Sequence, residues 1–256
     1  MIREKINYLK REILTACYRT REGHVASSYS ILDILYVMYS RILDNDLVKS
    51  KDEKRDRFVL SKGHAAVGYY AILKEFGYFD DPLEMMCAFH SRLGGHPDCN
   101  KVPGIEASTG SLGHGVPMAV GMAMGLKIQK NPAHVYVLAG DGEINEGSVW
   151  ESLLIASHNA LNNLTVIIDY NHSTDRAIDL NNLQDKLSAF SFNTVTINGH
   201  DHNEIEKSLL IRDQRPTAII CETIKGKGIA EMQNNPAWHH RMPTDEEYNR
   251  FLEELS

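Results

Sequence analysis

Two short apolar runs, HVYVLAG (134–140) and LTVIID (164–169), constrain this chain more than anything else in it. Each is continuous rather than alternating, which is how strands buried on both faces read. Between them lies a helix-length segment, roughly 148–160, so the unit is strand, helix, parallel strand. The pattern recurs. A strand RFVLS ends at Ser61 and is followed by a helix-like stretch from Ala65 to Phe76, a Gly- and Pro-rich loop over 93–110, and an apolar helix from Val116 to Ile128. Later, NTVTIN (193–198) and TAIICETI (217–224) flank a helix over 203–212. Helical periodicity opens the chain at 2–20 and 30–42, and Thr244 with Glu247 places a capping box at the start of a closing helix. The expected fold is α/β: one open, mostly parallel sheet with helices on both faces, formed as a single domain over residues 1–256.

Totals narrow the function. The 256 residues are 43% hydrophobic, enough for a large core. A formal net charge of −7 argues against nucleic acid or an anionic membrane as partner. Four cysteines, at 17, 87, 99 and 221, show neither CxxC pairing nor zinc spacing, and read as reduced thiols of a cytoplasmic protein. The N-terminus lacks an apolar signal core, and the most apolar window, 112–128, is interrupted by His114, Pro117 and Lys127.

The chemistry gathers at the two strand ends, in GDGEINEG (140–147) and DYN (169–171). Open α/β sheets bind ligands outside the carboxyl ends of their strands. Neighbouring strands would bring the Asp141 carboxylate and the Asn171 amide oxygen together, with the Ser173 carbonyl as a third oxygen. Magnesium takes hard oxygens and needs few carboxylates when phosphate supplies the rest, so this donor set suits a metal carrying a diphosphate. Gly140 and Gly142 let the backbone approach phosphate, and the helix that follows would present its positive end. Taken singly, each fragment is an ordinary turn, since Gly, Asp and Asn dominate turns. Their combination at this spacing is what is specific.

GDGEINEG followed by DYN resembles the thiamine-diphosphate signature, and the whole chain resembles the N-terminal region of the transketolase family. The likeness runs through REGHVASSYSILDILYVMY, FVLSKGHAAVGYYAIL, GGHPD, ASTGSLGHGVPMAVGMA, INGHDH, ETIKGKG and NNPAWHH. It implies that Asp141, Asn171 and Ser173 hold Mg2+. It further implies that thiamine diphosphate is bound by His64, Gly110, Ser111, Leu112, Gly140, Asp141, Gly142, Glu143, Glu146 and Asn171, with Glu146 near a subunit interface. His24, His64, His96 and His239 are implied to line a ketose-donor pocket, His24 and His239 moving protons as a carbon–carbon bond breaks. His114 stands where many relatives carry Gln. After His24 this chain departs from the family, reading GHVASSYS with bulkier Val25 and Ala26. Lys225 and Lys227 either steer phosphate or are solvated loop lysines. The HDH of 200–202 and the pair His239, His240 admit zinc, but no further ligand lies at a metal-site spacing.

Thiamine diphosphate needs a carboxylate beside its aminopyrimidine, and the family supplies that Glu from a second domain. The resemblance therefore implies half of a split enzyme: a transferase moving a two-carbon ketol unit between sugars or sugar phosphates, joined to a separately encoded C-terminal subunit in an α2β2 heterotetramer. The α subunit of a 2-oxo-acid dehydrogenase and a noncatalytic cofactor-binding protein are the alternatives; the GHP at 95–97 and the Trp238–His239 pair favour the sugar enzyme. Gly121 and Gly125, four apart, would let the helix from Val116 pack closely on another, in this chain or a partner.

Overall fold

The computed structural model describes residues 2–175 and 177–256. Its centre is a five-stranded, all-parallel sheet in the order β1-β2-β3-β5-β4. The strands are β1 (Arg57–Leu60), β2 (Val135–Gly140), β3 (Leu164–Tyr170), β4 (Asn193–Asn198) and β5 (Thr217–Glu222). β2 and β3 are buried along their whole lengths, as their unbroken apolar runs require.

Alternate strand residues feed two cores. Phe58, Leu60, Tyr136, Leu138, Ile167 and Ile219 face α1 (Ile2–Thr20), α2 (Val25–Val37) and α4 (Ala66–Glu75). Val59, Val135, Val137, Val166, Ile168 and Ile220 face α5 (Gly115–Ile128), α6 (Gly147–His158) and α7 (Leu183–Ala189). Short α3 (Asn45–Ser50) precedes β1, α8 (His202–Leu209) joins β4 to β5, and α9 (Asp245–Glu254) closes the chain. Among the described residues no helix is long and apolar enough to cross a membrane.

The second helix starts at Val25, five residues before the expected Ser30, and runs on through a π-helical turn over Met38–Ile42. Val25 and Ala26 are therefore buried helix residues, so GHVASSYS is a helix start rather than a loop. Short α3 and α7 carry no expectation from periodicity; they are set by caps, with Asp44 accepting from Asp46 N and Leu47 N, and Asn182 from Asp185 N. The capping box of α9 forms as expected between Thr244 and Glu247.

Register decides where the chemistry lies. Gly140 pairs with Asp169 and Asp169 with Cys221, so the carboxyl ends of β2, β3 and β5 finish level. The segments 140–143, 170–173 and 222–225 leave the sheet side by side at that edge.

Candidate active site

A cavity of about 570 Å3 opens over those strand ends, with Asp141, Asn171, Ser173, Lys225, His64 and His239 among its lining residues. Its floor is tied together at Ser173, whose hydroxyl also donates to Asn171 Oδ1. Ser173 N–H donates to Asp141 Oδ2 at 2.7 Å and to Asn171 Oδ1 at 3.2 Å, so the two loop tips aim their oxygens at one point. Asp141 Oδ1 accepts from Gly142 N at 2.7 Å. Burial, then the nearby Asp169 charge, pushes the Asp141 carboxyl above its ordinary range, which favours a compensating cation.

Beneath this floor Asp169 is wholly buried and accepts from Lys62 Nζ, Thr223 Oγ1, Ser30 Oγ and Asn171 Nδ2. Burial opposes its charge, but Lys62 and these donors outweigh burial and hold the carboxyl below its usual range. The bond from Asn171 Nδ2 turns the amide oxygen of Asn171 toward Ser173 and Asp141. Neither Lys62 nor Asp169 stands out in the sequence; SKGH and DYN each contain one of them, but only the fold reveals that they meet.

Lys225 is 8% exposed, and its Nζ lies 3.1 Å from Ser173 Oγ and 3.0 Å from His239 Nδ1. A lysine only donates, so His239 Nδ1 accepts and its proton sits on Nε2. Lys227 is instead half-buried within the field of Asp33. Ser27 Oγ is buried without a hydrogen-bond partner among the described residues, and Ser27 lines the same cavity.

The histidines meet as a cluster. The His24 ring centroid lies 5.1 Å from those of His64 and His239, and 4.6 Å from that of His240. His64 and His239 are 5.6 Å apart. Burial, then the neighbouring imidazoles, pulls His24 down to about 3; burial, then Lys62, takes His64 to about 2; burial, then Lys225, takes His239 to about 4. All three are neutral near pH 7, each with one ring nitrogen to accept a hydrogen bond and one N–H to donate. His96 packs on Gly110, where a Cβ would come within 2.8 Å of its ring.

Other sequence-derived residues take different places. Leu112, Gly140 and Gly142 line the cavity, and a Cβ built on Gly142 would meet nothing within 4 Å. Gly110 and Ser111 lie on the adjoining loop, outside the lining. The Glu143 carboxylate is taken up by Ser61 Oγ, Gly113 N and Gly140 N, so it braces three segments from beneath. Glu146 is exposed outside the cavity, as N-cap residue of α6. A short 3-10 turn, Glu143–Asn145, separates the cavity from α6, so the helix end does not face the floor directly. His114 is exposed at the start of α5.

Among the described residues no group of three or more His, Cys, Asp or Glu is arranged to hold a metal. His200 and His202 bind Asp33 instead. The oxygens that meet at the cavity floor are one carboxylate, of Asp141, and one amide oxygen, of Asn171.

Comparison with known proteins agrees with this architecture. Residues 2–254 match the family model described as transketolase, thiamine diphosphate binding domain. The chain is 36% identical to an apulose-4-phosphate transketolase subunit from Phocaeicola vulgatus, over 96% of this chain and 91% of that protein. It is 34% identical to a 6-deoxy-6-sulfo-D-fructose transketolase subunit of a Clostridium species, over 99% and 96% respectively. The transketolase structure from Leishmania mexicana superposes with a TM-score of 0.85 at 27% identity, covering 99% of this chain but only 41% of that one. The chain thus belongs to the transketolase family, as its thiamine-diphosphate-binding N-terminal part.

Proposed function

We propose that this chain is the diphosphate-binding half of a two-subunit transketolase, transferring a two-carbon ketol unit from a ketose or ketose phosphate to an aldose or aldose phosphate. The observation that carries this reading is the shared Ser173 amide, which puts the oxygens of Asp141 and Asn171 on one point beside Lys225 and within one cavity with His64 and His239. The donor set fits Mg2+ that arrives with a diphosphate. Lys62 is already paired with Asp169, so among the described lining residues a diphosphate meets Lys225, itself in the field of Asp141, and an accompanying Mg2+ supplies the remaining positive charge. The unpartnered Ser27 hydroxyl and the open space over Gly142 fit such a guest as well.

In this reading Asp141, Asn171 and the Ser173 carbonyl hold the metal, while Gly140, Gly142, His64 and Leu112 shape the seat, with Gly110, Ser111 and Glu146 on its margin and Glu143 bracing it. Thiamine diphosphate, when bound, supplies the carbon nucleophile and the electron sink for carbon–carbon cleavage. The chain's own imidazoles manage protons. Neutral His24 accepts from the donor's hydroxyl, His239, held at Nδ1 by Lys225, offers its Nε2–H as a hydrogen bond, and His64 and His96 hold the remaining hydroxyls.

The relatives named as subunits support a partner polypeptide, which would contribute the activating Glu, sugar-phosphate contacts and an α2β2 assembly. Four free cysteines suit the cytoplasm. Co-expression with the candidate partner, followed by a ketose-donor screen with thiamine diphosphate and Mg2+, tests the function. Ketol transfer by the pair and none by this chain alone is expected; full turnover by the isolated chain contradicts the split-site reading.

A further inference from the structure

Outside the cavity a buried histidine bonds at both ends. Asp33, on α2, is 6% exposed, and both its oxygens are occupied: His200 Nδ1–H donates to Oδ2 at 2.9 Å and His202 Nε2–H to Oδ1 at 2.7 Å. The far side of His200 meets the main chain. Ile224 N–H donates to His200 Nε2 at 2.9 Å. A backbone amide only donates, so Nε2 must be bare and the imidazole proton must sit on Nδ1, where Asp33 receives it. Carboxylate, imidazole and amide form one directional chain, in which the carboxylate fixes both the tautomer and the ring plane.

The amide at its end is the one before Lys225. Residues 223–226 leave β5 under several restraints: Thr223 N to Tyr170 O at 3.1 Å, Thr223 Oγ1 to Asp169, Ile224 N to His200, and Gly226 N to Ala26 O at 3.0 Å. Further on, Lys227 N donates to Ile224 O at 3.1 Å and Asn234 N to Lys225 O at 2.9 Å, so backbone bonds hold the carbonyls of Ile224 and Lys225 while the His200 side chain holds the Ile224 N–H. The turn carrying His200 is packed hard onto that strand end, since a Cβ on Gly199 would come within 2.4 Å of Thr223 Cγ2. With that turn fixed, His200 Nε2 stands at a set height above β5.

We propose that His200 is a positioning residue: oriented by Asp33, it holds the Ile224 amide and thereby sets Lys225 Nζ between Ser173 and His239. Two functions hang on that placement. Lys225 brings its charge to the diphosphate end of the cavity, and it fixes the His239 tautomer. The inference rests on the reading that Lys225 faces the diphosphate, and the test separates the two.

Binding of magnesium pyrophosphate to the full chain is measured by calorimetry, a probe whose contacts all fall on this subunit. Lys225→Met is expected to weaken it about tenfold, and His200→Asn, which keeps a donor toward Asp33 but cannot reach Ile224, by a comparable factor. His200→Gln, whose Oε1 reaches where Nε2 stood, is expected to restore binding to within about threefold of the parent. On a Lys225→Met background His200→Asn is expected to add nothing, because both changes remove the same contribution. Parental affinity in His200→Asn alongside a loss in Lys225→Met overturns the positioning role. Losses that multiply in the double variant overturn it too, since they mark general destabilisation. Parental affinity in Lys225→Met overturns the placement of Lys225 against the diphosphate, and the proposal with it.

Discussion

Lys62 and Asp169 pair in the sheet interior, neither more than 2% exposed. Removing one partner of such a pair strands a charge, so Lys62→Met should cost about 3–5 kcal/mol, read from chemical denaturation. Lys62→Met with Asp169→Asn should recover part of it; no recovery would show that the pair is not the source of the loss. Within the cavity, His24→Ala in the assembled enzyme should lower kcat by about 10²–10⁴-fold, the range of a positioned acid–base group, with a smaller change in KM. An effect confined to KM would make His24 a binding residue only. Asp141, Asn171, His24, His64 and His239 are legible in the sequence because each sits in a compact local motif. Glu143 as a brace and Asp169 as the hub are not, because Ser61, Gly113, Ser30 and Thr223 reach them across sequence separations that only the sheet closes.

At the level of elements, strand positions and the closing cap are legible and helix starts less so. β2, β3 and β4 lie where continuous or strand-like runs put them, since strand burial leaves a local mark. α2 is buried nearly all round, so VASSYSILDILYV has no polar stripe to mark its beginning, and periodicity points to Ser30 for a start that lies at Val25. α9 docks through Phe251, fully buried and 5.3 Å from the Trp238 ring. Phe251→Ala should destabilise by about 3–5 kcal/mol, and because Trp238 precedes His239 it should also weaken catalysis. Just before β2, His134 is 5% exposed, its Nε2 paired with Thr165 Oγ1 at 2.8 Å; burial, then Arg212, pulls it down to about 3. Its folded form binds a proton less readily than the unfolded chain, whose imidazole titrates near about 6.5. The contribution is therefore present above that pH and lost as pH falls toward 3. His134→Gln should flatten the fall in melting temperature between about pH 7 and pH 4; an unchanged slope would assign the effect to other groups.

For the whole molecule, the face of α5 bearing Gly121 and Gly125 has no neighbour among the described residues: a Cβ on either would meet nothing within 4 Å. Ile128 on α5 and Leu154 on α6 are likewise exposed, at 76% and 56%. Gly121→Leu should leave the isolated fold intact, read from an unchanged melting temperature; a fall of several degrees would show that this face is packed within the chain. Everything proposed for the active site returns to the convergence of residues 141 and 171. Mn2+ binding followed by electron paramagnetic resonance, with pyrophosphate present, tests it most directly. The parent chain should bind the ion and both Asp141→Ala and Asn171→Ala should release it, whereas undiminished binding in either variant would contradict the account.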